Sequence, residues 1–191
     1  MKKILVETSA RHIHVTKEAL AELCGEDYKL QVKKMLSQPG QFASTTKLEI
    51  VGPKGTLSAS ILGPERSACQ VEVSATEART LGVKPPVRES GDIKGSAPIT
   101  IRNPENGHEI NLEEGCIIAK RHIHMTPEDA KEFGVNNGDI VGVKISGTGR
   151  DLVFYDTVIR VSPKYSLAMH IDTDECNAGN CFGEIYGELV K

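Results

Sequence analysis

The sequence predicts a mainly β protein made of two related barrel modules capped by short α-helices. Two observations carry that reading. Short apolar, β-branched runs recur at roughly ten-residue intervals between Gly- or Pro-containing turns, a spacing typical of barrels and sandwiches and too tight for the long helices of a βαβ sheet. The tetrapeptide Arg-His-Ile-His also occurs twice, at residues 11–14 and 121–124, within a matching frame. Each copy ends a strand, then meets Thr and a helix of about two turns, so the chain reads as an internal duplication.

Taken in order, "KKILVETS" is the first strand and leads into the first Arg-His-Ile-His. "TKEALAELCG" follows as a helix capped by Thr16 and stopped by Gly25. Residues 26–45 are mixed, a short helix or strand running into the Pro39-Gly40 turn. "TKLEIVG", "GTLSASILG" and "ACQVEVSA" are strands. "SATEARTLGV" repeats the helix plan with Thr76 as its cap, and echoes the helical part of the repeat without the histidines. "RESGDIKGS" reads as a charged loop. "APITIRN" and "GCIIAKRHIH" lead to "TPEDAKEFGV", a helix with Thr126 as cap, Pro127 at its first position, acidic residues in its first turn and Gly134 at its exit. "DIVGVKISG", "DLVFYDTVIRVS", "SLAMHID" and "FGEIYGEL" close the list of strands.

At 191 residues the chain can bury one large core or two small ones. A net charge of −3 argues against a nucleic-acid surface. No secretory leader and no apolar run long enough to span a bilayer is read, so the expectation is a soluble intracellular protein with no membrane or nucleic-acid partner. The five cysteines, an odd number without zinc-knuckle spacing, read as free thiols in a reducing compartment.

On a strand, residues two apart share a face. His12 and His14 therefore project together, as do His122 and His124, while Ile13 and Ile123 point to a core. Co-facing imidazoles are good zinc donors, each pair needing at least one further ligand. The alternative is a pair of surface or barrel-mouth histidines, and the duplication favours metal. His170, at the end of an apolar stretch, adds to the candidates, whereas His108 reads as exposed. From pattern alone Glu72 reads as a surface residue. Arg66 could grip a carboxylate or phosphate with two donors or be solvated, and Ser90 with Gly91 could offer donors to an anion. Arg11 and Arg121 suit a structural ion pair as well as they suit a substrate contact. No Walker loop, dinucleotide fingerprint, Gly-x-Ser-x-Gly elbow or His-Glu-x-x-His helix is present.

Together, "VETSARHIHVT", "LSQPGQFA", "ILGPERSACQVEVSATEARTLG", "PPVRESGD" and "AKRHIHMTPEDAKEFGV" resemble the phosphate acyltransferases of the PduL family, the phosphate propanoyltransferases or phosphotransacylases. The likeness runs from Ile4 to Glu188. It implies reversible transfer of a propanoyl or acetyl group between coenzyme A and phosphate. It implies two interlaced β-barrels, one from residues 1–10 plus 120–191 and one from residues 11–119, with two zinc ions near their interface. By the same resemblance His12, His14 and Glu72 hold the first zinc, His122, His124 and His170 hold the second, Arg66 is the catalytic arginine at the phosphate, and Ser90 lies in the active-site region. Acyl-CoA and phosphate are then the small-molecule partners. The resemblance leaves room for a homo-oligomer, a role in propanediol degradation, and association with a bacterial microcompartment as shell partner or cargo. With Lys2-Lys3-Ile4 running straight into the first strand, no targeting extension is read and a cytoplasmic location is expected. Two other classes use the same residues: a zinc hydrolase of thioesters or phosphoesters, and a non-catalytic barrel module with structural zinc completed by cysteine.

Overall fold

The computed structural model describes residues 2–190. Its elements fall into two consecutive repeats. The first carries β1 (Ile4–Thr8), β2 (His12–His14), α1 (Lys17–Cys24), β3 (Val32–Met35), β4 (Phe42–Val51), β5 (Thr56–Gly63), β6 (Gln70–Glu72), α2 (Ala75–Leu81), β7 (Val87–Arg88) and β8 (Ala97–Arg102). The second carries β9 (Glu109–Ala119), β10 (His122–Met125), α3 (Pro127–Phe133), β11 (Ile140–Ile145), β12 (Leu152–Val161), β13 (Ala168–Ile171), α4 (Thr173–Gly179) and β14 (Ile185–Val190).

The strands close into two barrels of one design. In the first, the order is β1-β13-β10-β12-β11-β14, with β14 pairing back onto β1. In the second, the order is β9-β6-β2-β5-β4-β8, with β8 pairing back onto β9. The ladders match step for step. β1–β13 and β9–β6 are parallel, β10–β12 and β2–β5 are parallel, and the other pairings in each ring are antiparallel. β3 and β7 are additions to the second barrel, attached to β4 and β9. The first strand of each repeat therefore belongs to the barrel that the other repeat builds. Closure removes sheet edges, so every strand of the ring has two partners.

The chain separates into two compact units that contain these barrels. One comprises the residues up to Ala10, the short stretch Ser37–Pro39, and the residues from Lys120 onward. The other comprises Arg11–Leu36 and Gly40–Ala119. Each has its own apolar core. Ile13, Leu20, Leu48, Ile61, Val71 and Ile101 pack in the second barrel, and Ile4, Ile123, Met125, Val143, Ile159 and Met169 in the first. Ile13 and Ile123 are fully buried, so the residue between each pair of histidines is a core anchor; truncating either to Ala would cost about 2–5 kcal/mol.

The described residues form four short helices. Thr16 caps α1 by accepting the Ala19 N–H, and Thr126 and Asp129 form a reciprocal capping box on α3. Two expectations need correction. The cap of α2 is Ser74, not Thr76, because Ser74 and Glu77 form the box and Thr76 lies within the helix. The counterpart of α2 is not the helix after a histidine pair but α4, which follows β13 as α2 follows β6, and which begins at Asp172 in a box with Glu175. The mixed segment 26–45 holds strand β3 and the start of β4, and the supposed charged loop begins on the short strand β7.

Candidate metal centres and their polar surroundings

Register places the first cluster. In the antiparallel β2–β6 pair, His12 stands opposite Glu72 and His14 opposite Gln70. Cross-strand partners share a face, so the alternation of His-x-His on one strand meets Gln-x-Glu on the next. All four residues are buried. His12 Nε2 lies 3.1 Å from His14 Nε2 and 3.4 Å from Glu72 Oε2, and His14 Nε2 lies 3.8 Å from Glu72 Oε1.

These spacings suit a single small ion. Zinc bonds near 2.0–2.1 Å put neighbouring tetrahedral ligands about 3.4 Å apart. His14 Nδ1 faces the Leu62 carbonyl oxygen at 3.2 Å, which fixes the proton there and leaves Nε2 as the lone-pair donor. Burial, then the charges of His12 and Arg66, push His14 down to about 3, so its ring is neutral as a ligand must be. Burial opposes the charge on Glu72, but His12, His14 and a hydrogen bond from Ser90 outweigh it and hold the carboxyl well below its ordinary range. The expectation that Glu72 is a surface residue, drawn from alternation alone, is thereby corrected: both faces of β6 are covered.

The second cluster repeats the first with one ligand changed. His122 stands opposite His170 in the β10–β13 pair, and His124 opposite Ala168. The three ring centroids lie 4.6–5.3 Å apart. His122 Nδ1 contacts the Lys120 carbonyl oxygen at 2.8 Å, again leaving Nε2 as donor. Burial first, then His122, His170 and Arg160, push His124 down to about 2. Buried His124 Nδ1 has no hydrogen-bond partner, a costly state that a metal bond at that ring would relieve. In each cluster the three candidate ligand atoms lie within 4.8 Å of one another. Both donor sets therefore fit zinc.

Arg66 and Ser90 sit beside the first cluster. Arg66 Nη1 donates to Ser90 Oγ (3.1 Å), and the Arg66 backbone N–H donates to the Val15 carbonyl (2.8 Å). Gln70, which sequence reasoning missed, is 2% exposed and links Glu72 to Ser90 and Gly91. The signal was available: Gln-Val-Glu is the same two-residue alternation as His-Ile-His. Glu7 was also missed. It pairs in register with His170, its Oε2 lies 3.9 Å from His170 Nδ1, and Ser37 Oγ donates to that oxygen.

The two repeat arginines are braces. Arg11 Nη1 donates to Glu77 Oε1 (2.7 Å) and its Nε to the Ser58 carbonyl (2.7 Å). Arg121 Nη1 donates to Glu175 Oε1 (2.5 Å) and its Nε to the Tyr155 carbonyl (2.6 Å). Glu77 and Glu175 are the capping-box glutamates of α2 and α4, so each arginine ties its histidine strand to the helix that follows the third ligand.

The remaining candidates lie elsewhere. His108 is exposed and contacts the Glu22 carbonyl oxygen at the end of α1. All five cysteines are free, and none joins either cluster, so no fourth ligand for a structural zinc comes from sulfur. Burial pushes the Cys116 thiol up to about 12, which removes it as a nucleophile. No helix among the described residues is long and apolar enough to cross a membrane.

Comparison with known proteins adds the following. A family model described as phosphate propanoyltransferase matches residues 5–181. A phosphate propanoyltransferase of Alkaliphilus metalliredigens is 49% identical over 191 residues, covering 99% of this chain and 88% of that protein. One from Lachnoclostridium phytofermentans is 54% identical over 175 residues, covering 91% and 80%. One from Thermotoga maritima is 49% identical over 176 residues, covering 92% and 83%.

Proposed function

The chain belongs to the phosphate propanoyltransferase family, and from that premise we propose that it transfers a short acyl group, propanoyl or acetyl, reversibly between coenzyme A and inorganic phosphate. A phosphate oxygen attacks the thioester carbonyl, the new C–O bond replaces the C–S bond, and coenzyme A leaves as its thiolate. No acyl-enzyme is needed, and the buried high-pKa Cys116 is unsuited to form one.

The observation that carries the reading is the pairing of a three-donor cluster with a guanidinium joined to it by hydrogen bonds. His12, His14 and Glu72 would hold one zinc, and His122, His124 and His170 a second. Zinc held by three protein ligands keeps one exchangeable position and supplies Lewis acidity toward a carbonyl or phosphate oxygen. Arg66 binds and orients the phosphate: its planar fork matches two phosphate oxygens, and its charge offsets theirs. Ser90 holds that guanidinium in place through its Oγ. The carbonyl oxygens of Leu62 and Lys120 keep the protons of His14 and His122 on Nδ1, away from the metal side. Arg11 and Arg121 do not contact substrate in this account. They hold the scaffold.

The two ligand sets differ in charge. Two imidazoles and a carboxylate leave a divalent ion with one net positive charge, whereas three imidazoles leave it with two. The second set would therefore leave its ion the more positive of the two. Acyl-CoA and phosphate are the partners this reading requires, and a cytoplasmic location is its expectation.

The test is release of coenzyme A from propanoyl-CoA and acetyl-CoA with phosphate, arsenate or neither, before and after chelation. The reading requires release that depends on the acceptor and disappears with the metal. Equal release without an acceptor would instead identify a metal-dependent thioesterase.

A further inference from the structure

Gln70 is a buried amide beside the first cluster, and its three hydrogen bonds run to groups of three different kinds. Its Nε2 donates to Glu72 Oε1 at 2.6 Å and to Ser90 Oγ at 3.0 Å, and its Oε1 accepts the Gly91 backbone N–H at 2.8 Å. The orientation of the amide follows from the partners. Ionised Glu72 can only accept and the Gly91 N–H can only donate, so a flipped amide would set like against like at both ends.

This arrangement does two things. Glu72 has two oxygens, and Gln70 occupies Oε1, which leaves Oε2, the oxygen 3.4 Å from His12 Nε2, to face the ion. Ser90 Oγ receives N–H groups from both Arg66 and Gln70, at 3.1 and 3.0 Å. A continuous chain results, running from Arg66 through Ser90 and Gln70 to Glu72. In the other barrel the residue opposite His124 is Ala168, which has no side-chain amide to offer.

We propose that Gln70 is a positioning residue for phosphate use, whose amide orients Glu72 as a metal donor and the Arg66–Ser90 pair toward phosphate as one unit. The inference rests on the acyltransferase reading. It makes Gln70, separated from phosphate by Ser90 and Arg66, a determinant of phosphate use and of metal retention at the first cluster only.

Gln70→Met keeps the volume and removes all three hydrogen bonds, and Gln70→Glu keeps the acceptor for Gly91 while removing both donors. For each, the Michaelis constants for phosphate and acyl-CoA are measured separately on zinc-loaded protein, and zinc release is followed during titration with a chelator. The expected result is a phosphate KM raised about tenfold, an acyl-CoA KM unchanged, and one of two zinc ions held about 10–100-fold more weakly while the other is unaffected. Should Gln70→Met fail to fold, Gln70→Glu is read by the same criteria. Unchanged phosphate KM with unchanged retention of both ions overturns the role of Gln70. A wild-type protein that makes no acyl phosphate overturns instead the acyltransferase reading on which it rests.

Discussion

His12 stands directly across the β2–β6 pair from Glu72, with His12 Nε2 3.4 Å from Glu72 Oε2. The same position in the other barrel pairs His122 with His170. One backbone solution thus serves both clusters, and only the third candidate ligand differs between them. The predictions start from that equivalence.

Each cluster should bind its own ion. His12→Ala and His122→Ala should each lower zinc from two ions per chain to one, and each should lower transferase activity at least about a hundredfold. Metal analysis alongside initial rates checks this. A variant that kept both ions and its full rate would remove that histidine from the ligand set.

Arg66→Ala should separate the two substrates. Loss of a charge-assisted contact should raise the phosphate KM by about tenfold or more and leave the acyl-CoA KM nearly unchanged. Arg66→Lys should recover charge but not the two-pronged fit, and so restore the constant only in part. An unaltered dependence on phosphate would contradict the role.

Arg11→Ala and Glu77→Gln should act on stability instead. Arg11 is about one-third exposed and Glu77 is mostly covered, so the pair is worth about 1–2 kcal/mol, more than a surface ion pair. Urea unfolding of the single and double variants should show coupling of that size, with both Michaelis constants unchanged in the folded protein. A change in substrate constants without a change in stability would return Arg11 to the substrate.

Acid should weaken the chelated protein as the pH falls below neutral. Burial and neighbouring charge hold His14 down to about 3 and His124 down to about 2, against about 6.5 for an unperturbed imidazole. The folded values are the lower ones, so on acidification the unfolded chain takes up protons first. The contribution to stability is complete above about pH 6.5 and is lost as pH falls toward about 3 and then 2. The urea midpoint of metal-free protein should therefore drop between about pH 7.5 and about pH 5. A flat midpoint over that range would show that the two imidazoles are not held neutral by the fold.

Much of this site was legible in sequence because it is written in a two-residue period. His-Ile-His gives two co-facing ligands and a core anchor without any tertiary information, and Ile13 and Ile123 are indeed fully buried. The third ligands were not legible that way. Glu72 and His170 reach their histidines through strand pairing, and alternation alone cannot say whether the polar face of a strand is covered. The resemblance named them as ligands, and the register sets each across from a histidine of its cluster. The partners of Arg11 and Arg121 lie 66 and 54 residues away, on helices whose capping boxes show in the sequence but whose docking does not. Helix α4 was missed because "TDECNAG" has little apolar period, although Asp172 and Glu175 spell its capping box. The duplication was visible in the repeated tetrapeptide. Its true extent, including the match of α2 with α4, needed the strand order.

The most direct test of the whole account follows phosphorus. Propanoyl-CoA and phosphate are mixed with the zinc-loaded protein, and the products are read by phosphorus-31 NMR and by thiol titration. The account predicts an acyl phosphate resonance that grows in equal amount with free coenzyme A, and that disappears when coenzyme A is added in excess. Free propanoate and coenzyme A appearing while phosphate stays constant would contradict it.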